Sequence, residues 1–413
     1  MVKLNEDETE RLSEFAHAYK FIRDAVLGLW RRMKSINKHP NQEIQLDLSS
    51  NAATANPASS VFALSGRNLA TVKNLIELMA KNGLDFFSLI QPDDVVLIKI
   101  NEEWGERGGT DTDILKQLIQ TIVSHPGKFV GEIVVADNGQ WIGSMKWDRN
   151  NAENPSQSTQ NVVDSFSNRY KVSTYDWMQI KATPAKEYSE GDMTDGYVVY
   201  PNPDPITGTI VSYPKFRTTF GTSISFKHGI WNGNNYENKL KIINLPVLKS
   251  HNMYGVTGAV KAYIGVQSER RGGGLGNGHA SIPKGGIGTL MAETRMPTLN
   301  IICATWVNSV PGNYKGAGPD TPYNVATRTN VIAASTDPVA LDYWSSKNIL
   351  VQAASKIGYS DTHTLDPDSK NRKGVETEGF GIWLSKTKDV LLKAGIQVTT
   401  NEKQIKVVVQ DKT

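Results

Sequence analysis

Short apolar runs and amphipathic stretches alternate along the chain. VFAL (61–64), VVLIKI (95–100), EIVVAD (132–137), IINL (242–245), LNIICAT (299–305) and TNVIAAS (329–335) are continuous, and most are rich in β-branched residues. Runs of this length between turn residues read as strands buried on both faces. Between them the spacing changes. Leu69, Val72, Leu75, Ile76 and Met79, and later Ile114, Leu115, Leu118, Ile119 and Ile122, recur at three- and four-residue steps. That spacing predicts helices over 68–82 and 112–124. Strands alternating with helices are joined by right-handed crossovers. The pattern therefore predicts an α/β fold, a mainly parallel sheet with helices on both faces.

The flanks differ. Leu12, Phe15, Tyr19, Ile22, Val26, Trp30 and Met33 predict one long helix over 6–36 that packs on the main body. Arg23, Arg31, Arg32 and Lys34 supply only part of the cationic face a membrane-surface helix needs. Residues 37–60 are polar, with Pro40 and Pro57, and read as a linker or wrapping arm. The expected organisation is a helical N-terminal extension and linker over 1–59, then one large α/β domain over 60–413. Inside it, 138–160 reads as loop, 162–170 as helix and 172–177 as strand. From about 178 to 238, Pro201, Pro203, Pro205 and Pro214 and short alternations such as TSISF (222–226) predict an irregular antiparallel insertion. Asp337 followed by Pro338 predicts the cap and first position of a helix over 337–350. A last helix is predicted over 378–394, and IQVTT with QIKVVVQ predicts a terminal hairpin.

Composition narrows the function classes. With 45 basic and 42 acidic residues the net charge is +3, without a basic stripe. A nucleic-acid partner is not expected on that balance. The single cysteine, Cys303, rules out an internal disulfide, a Cys-rich zinc site and an iron–sulfur cluster built by this chain alone. A membrane span is not expected, because no apolar run approaches the roughly 18 residues one requires. Residues 1–12 are polar and acidic and do not read as a signal peptide. The expected location is cytoplasmic, with an exported form whose signal has been removed as the alternative. A homo-oligomer is compatible with the sequence.

Three predicted strands end in polar residues, and in open α/β sheets those carboxyl ends form the ligand crevice. IKIN places Lys99 and Asn101 at the first end, ahead of Thr110 and Asp111. VVADN places Asp137 and Asn138 at the second. At the third, Pro246 stops the strand, and Lys249, Ser250 and His251 follow ahead of a Gly-rich turn and a helix-like run. Each has a plainer reading. Lys99 could reach solvent, although a lysine inside an apolar run needs a partner. Asp137 and Asp111 could be turn or helix caps. Lys249 and His251 could belong to a surface loop, and Lys261 lies in a helical pattern as one of its solvated residues. The Gly-rich stretch 270–288 could cradle phosphate with Arg270 and Arg271, or act as a lid; it lacks both the GK[ST] of a P-loop and the strand that precedes a dinucleotide fingerprint. His279 within it could move protons or, with His251, hold a metal.

At these residues the chain resembles the domain of unknown function 362 family. VLIKIN with TDTDIL looks like its VLIKPN strand followed by Thr-Asp. EIVVADN is similar to its second strand, INLPVLKSHNMYGVTGAVKAYIGV to its PKLKTH…GVTGALKN signature, and ASTDPVALDYW to its DPVAxD motif. The motifs occur in order over roughly residues 60–350. The resemblance implies one α/β family domain and points to Lys99, Asn101, Asp137, Lys249, His251, Thr257, Lys261, His279, Asp337 and Asp342. Two departures stand out: Cys303 where the family commonly has Asp, and the bulkier loop from Glu102 and Glu103 to Gly105. Some members carry ferredoxin-type clusters, whose cysteines are missing here. The K-x-H segment ahead of glycines is also loosely similar to the nickel-pincer lactate racemase family.

The expected function is that of an enzyme acting on a small carboxylate- or phosphate-bearing substrate by isomerisation, racemisation or a lyase step. His251, Lys249 and Lys261 are the expected catalytic groups. Lys99, Asn101, Asp137, Asn138, Thr257, Arg270 and Asp337 are the expected ligand-binding groups. Two alternatives stand beside it: a non-catalytic binder of an anion or metal complex, and a metal-dependent enzyme using His251 and His279. The cofactor is left open.

Overall fold

A computed structural model gives the fold; it describes residues 42–51, 56–139, 157–177, 196–268, 277–371 and 379–411, with Met145, Trp147 and Glu153. The predicted helix over 6–36, the start of the insertion over 178–195, and Arg270 lie outside the described residues.

The strands, in chain order, are β1 (Ser59–Ser65), β2 (Val95–Lys99), β3 (Glu132–Asp137), β4 (Lys171–Asp176), β5 (Gly196–Val199), β6 (Ser212–Arg217), β7 (Ser223–Ser225), β8 (Gly229–Trp231), β9 (Tyr236–Glu237), β10 (Leu240–Asn244), β11 (Val247–His251), β12 (Gly255–Thr257), β13 (Leu299–Asn308), β14 (Thr327–Ser335) and β15 (Ile405–Asp411). The large sheet has the order β15-β1-β14-β13-β10-β2-β3-β4, and β11 and β12 attach beside β13. All pairs along that order are parallel except those of β14, which runs antiparallel to β13 and β1. β5 to β9 form a separate antiparallel sheet, as the alternating runs of the insertion predict.

Both faces of the large sheet are covered. Val96, Ile98, Ile133 and Val135 pack with helices Val72–Lys81, Thr112–Val123 and Thr159–Ser167 on one side. Leu97, Val134, Ala136 and Ile242 face the other, together with helices Ala259–Ala262, Gly286–Glu293, Pro338–Ser345 and Phe380–Lys393 and the small sheet's Phe216, Ile224 and Phe226. Burial on both faces explains why these strands read as unbroken apolar runs. Residues 42–51 lie along the large sheet. Ile44 N–H bonds to Arg328, Asn51 N–H to Val407, and Lys356 meets Asp47 at 2.8 Å. Among the described residues no helix is long and apolar enough to cross a membrane.

Two expectations are corrected. Pro246 ends β10, but Lys249 and His251 do not follow on a loop: the chain re-enters the sheet at once as β11. β13 is ten residues long and outruns β10, so its free edge accepts a second neighbour. Val247 then pairs with Cys303 and Lys249 with Asn308. At the C-terminus there is no hairpin. β15 pairs parallel to β1, and the Thr399 N–H is taken by Asp337 Oδ2 at 2.9 Å.

Candidate functional site

β2, β3 and β10 end side by side, with Lys99 in register with Ala136 and Asn244. Lys99 Nζ lies 2.8 Å from Asp137 Oδ1 and donates to the Ile100 carbonyl at 2.6 Å. Both side chains are buried. A buried ammonium is tolerated only when paired and hydrogen-bonded, and here it is both. The second carboxylate oxygen of Asp137 accepts the Glu102 N–H at 3.0 Å, which fixes the loop leaving β2. Gly265 makes room for the pair: a Cβ there would overlap Asp137 Oδ1 and sit 2.7 Å from Lys99 Nζ.

The hairpin of β11 and β12 forms the next wall. Gly255, at φ +78°, supplies the left-handed residue that closes it, and Lys249 pairs with Thr257 across it. Lys249 Nζ donates to the Gly108 carbonyl at 2.7 Å and stands 5.5 Å from the centre of the Trp104 ring. His251 Nδ1 accepts the Met253 N–H at 3.1 Å. In the neutral ring that assigns the proton to Nε2. The Thr257 hydroxyl is buried without a hydrogen-bond partner among the described residues.

The helical pattern alone reads Lys261 as solvated, and the structure corrects this: it is buried. Its helix, Ala259–Ala262, is a single turn inside the molecule, and its two leading N–H groups bond to Asp342 at 2.6 and 2.9 Å. The Asp342 carboxylate, brought from helix Pro338–Ser345, satisfies those donors away from water. A Cβ on Gly258 would strike Asp342. Lys261 Nζ lies 5.2 Å from the Tyr254 ring, which also packs at 5.1 Å from His251 and 5.7 Å from His279.

These groups act on one another. Burial, opposed by Lys249, Lys261 and Lys99, pushes the Glu103 carboxyl up to about 8. Burial lowers Lys249 to about 7 and Lys261 to about 8, although Glu103 favours the charged form of each. His251 is held well below the usual imidazole range by burial and by the nearby Lys261, His279 and Lys249. Lys99, Asp137, Lys249, His251, Lys261 and His279 thus share one electrostatic neighbourhood. Glu103, which sequence reasoning passed over as part of a bulky loop, acts on both Lys249 and Lys261. Its signal was a carboxylate three residues beyond the end of an apolar strand.

Other expected residues are engaged in holding the walls. Asn101 Oδ1 accepts the Val247 N–H at 3.0 Å, which ties the first strand end to the hairpin. Asn138 Nδ2 donates to the Gln267 carbonyl. Asp337 caps helix Pro338–Ser345 through Val339 and Ala340 and holds Thr399. Burial pushes it up to about 6 and Asp342 up to about 7. Asp111 caps helix Thr112–Val123. Among the described residues no three His, Cys, Asp or Glu side chains converge as metal ligands.

Residues 233–347 match the model of a family described as Domain of unknown function (DUF362). The chain resembles that family over a span that holds the hairpin, Lys261, His279, Asp337 and Asp342. Lys99, Glu103 and Asp137 lie ahead of it. No curated protein and no solved structure matches the chain, so the looser similarity to nickel-pincer lactate racemases finds no support there.

Proposed function

We propose that the protein is an enzyme acting on a small anionic substrate, bearing a carboxylate or phosphate, by acid–base chemistry. The observation that carries this is the make-up of the buried cluster. Three lysines, Lys99, Lys249 and Lys261, are buried with two carboxyl groups, Asp137 and Glu103, and the half-buried Asp320 also acts on Lys249. Lys99 and Asp137 pair with each other. An incoming anion beside Lys249 and Lys261 adds negative charge and draws both amines toward their protonated forms.

The groups suit proton transfer beside such an anion. A lysine lowered to about 7 accepts and returns a proton near neutrality. His251 Nε2 offers a second exchange site. Lys261 and Lys99 stabilise charge that develops on a substrate oxygen. Isomerisation, racemisation and elimination all draw on this set. Its test is a turnover screen of small carboxylates and phosphate esters, followed by Lys249→Met and His251→Ala. For the substrate found, each variant is expected to lose about 10²–10⁴-fold in kcat. Unchanged turnover in Lys249→Met sinks the mechanism, and binding without turnover across the panel favours the non-catalytic binder.

A further inference from the structure

A second cationic feature lies beside the buried cluster. Arg107 sits on the loop that carries Gly108, the residue Lys249 bonds. Its guanidinium stacks on Trp306 at 4.6 Å and on Tyr323 at 5.2 Å, and Arg328 stacks on Trp306 at 5.1 Å. A register shift in β13 between Ala304 and Trp306 aims the indole. The carboxylate of Glu153 occupies this place. Oε1 accepts the Trp306 indole N–H at 2.6 Å and lies 3.7 Å from Arg107 and 3.5 Å from Arg328. Arg328 also donates to Asn330 Oδ1 at 2.7 Å, and the Glu153 N–H bonds to Asp113. The arginine side chains are 9% and 13% exposed and Glu153 is 45% exposed. The carboxylate therefore approaches a nearly buried pair of guanidinium groups from the solvent side.

The small cleft below is lined by Arg107, Gly109, Asp111, Val247, Cys303 and Trp306. Val247 lies two residues before Lys249 on β11, with a register shift against β13 between them. Asp111, the one acid in that lining, spends Oδ1 on the N–H groups of Asp113 and Ile114. The cleft adjoins the Arg107–Trp306 pair, and the turn that carries Arg107 also carries the Gly108 carbonyl that Lys249 bonds.

We infer that Arg107, Arg328 and the Trp306 indole form a second anion subsite, with Glu153 standing in for a ligand carboxylate, and that the substrate is a dianion with one acidic group on each site. This rests on the reading of the lysine cluster as an anion site. Two guanidinium groups and one indole donor converge on a single carboxylate oxygen, Glu153 Oε1, and Glu153 competes for them from within the chain.

The test is calorimetric titration with dicarboxylates from malonate to adipate and with monocarboxylates of equal length. The best dicarboxylate is expected to bind at least about tenfold tighter than its monocarboxylate, a step of ~1.4 kcal/mol. Arg328→Met should shrink that advantage to within about twofold. Glu153→Gln should strengthen dicarboxylate binding several-fold. A clamp with only a structural role predicts a lower melting temperature for Glu153→Gln and no gain in affinity. Equal binding of mono- and dicarboxylates, or an advantage that survives Arg328→Met, overturns the inference. Lys249→Met separates the two readings: monocarboxylate binding unaffected by it removes the lysine site instead. Absence of binding by every member overturns both.

Discussion

Single side chains decide whether this cluster exists. Gly265 is the clearest case, because the Lys99–Asp137 pair occupies the space a Cβ would need. Gly265→Ala must push the pair apart or shift the backbone, and overpacking of that kind costs about 1–3 kcal/mol. Urea denaturation of the variant measures it, and stability equal to wild type would mean that the pair has room to move. Lys99 and Asp137 were visible as candidates in the sequence because each breaks the polarity rule of a buried strand end. Glu103 was not, and Lys261 stood out only through the family resemblance. One follows a strand on a loop whose burial depends on how that loop folds back, and the other sits in a pattern that fits an exposed helix equally well. Periodicity reports the repeat of apolar positions, not whether a helix lies inside or outside the molecule.

At the level of elements, the site is held by pieces far apart in the chain. The turn Ala259–Ala262 is too short to be stable alone, and Asp342 binds its leading N–H groups. Asp342→Ala leaves those donors buried and unpaired, at a cost of about 1–3 kcal/mol for each group. It should also weaken anion binding by releasing Lys261, whereas Asp342→Asn, which keeps one acceptor oxygen, should restore part of both. Loss of stability with undiminished affinity would separate the tether from the site. The strands of the parallel core were legible because they are buried on both faces. The continuation from β10 into β11 was not, since Pro246 marks a stop, and only the length of β13 shows that a second strand can dock beyond it. The terminal hairpin failed for a related reason. IKVVV specifies a strand, not its partner, and β1 offered a parallel edge that no local turn signal announces.

For the whole molecule, the buried titratable groups tie stability to pH. Glu103 is raised to about 8, so its contribution is full below the ordinary carboxyl range and is lost as pH climbs toward 8. Asp111, Asp337 and Asp342, raised to about 6, 6 and 7, lose theirs over the lower part of that range. His251 opposes them, since lowering its pKa gives a contribution that is lost as pH falls below the ordinary imidazole range. Lys249 and Lys261 are lowered to about 7 and about 8, so theirs is full above the ordinary lysine range and is lost as pH falls through those values. The carboxyl and lysine trends meet near pH 7–8, where the ligand-free cluster favours folding least. Melting temperature should therefore rise as pH increases from 8 toward 9, below the range where the raised Cys303 thiol opposes it, and Lys249→Met should flatten the rise. Matching pH profiles for the two proteins would show that Lys249 is not held in its neutral form.

The same groups make ligand binding a proton-linked event. An anion beside Lys249 and Lys261 raises the pKa of both amines, so at pH 8 the complex carries more protons than its separated parts. Succinate titrated in buffers of differing ionisation enthalpy, such as Tris and HEPES, should show net proton uptake, smaller in Lys249→Met. Apparent enthalpies that do not change with the buffer would mean that the anion meets lysines already charged. The cluster would then be a fixed electrostatic receptor, and the proton transfers proposed for it would have no group to begin from.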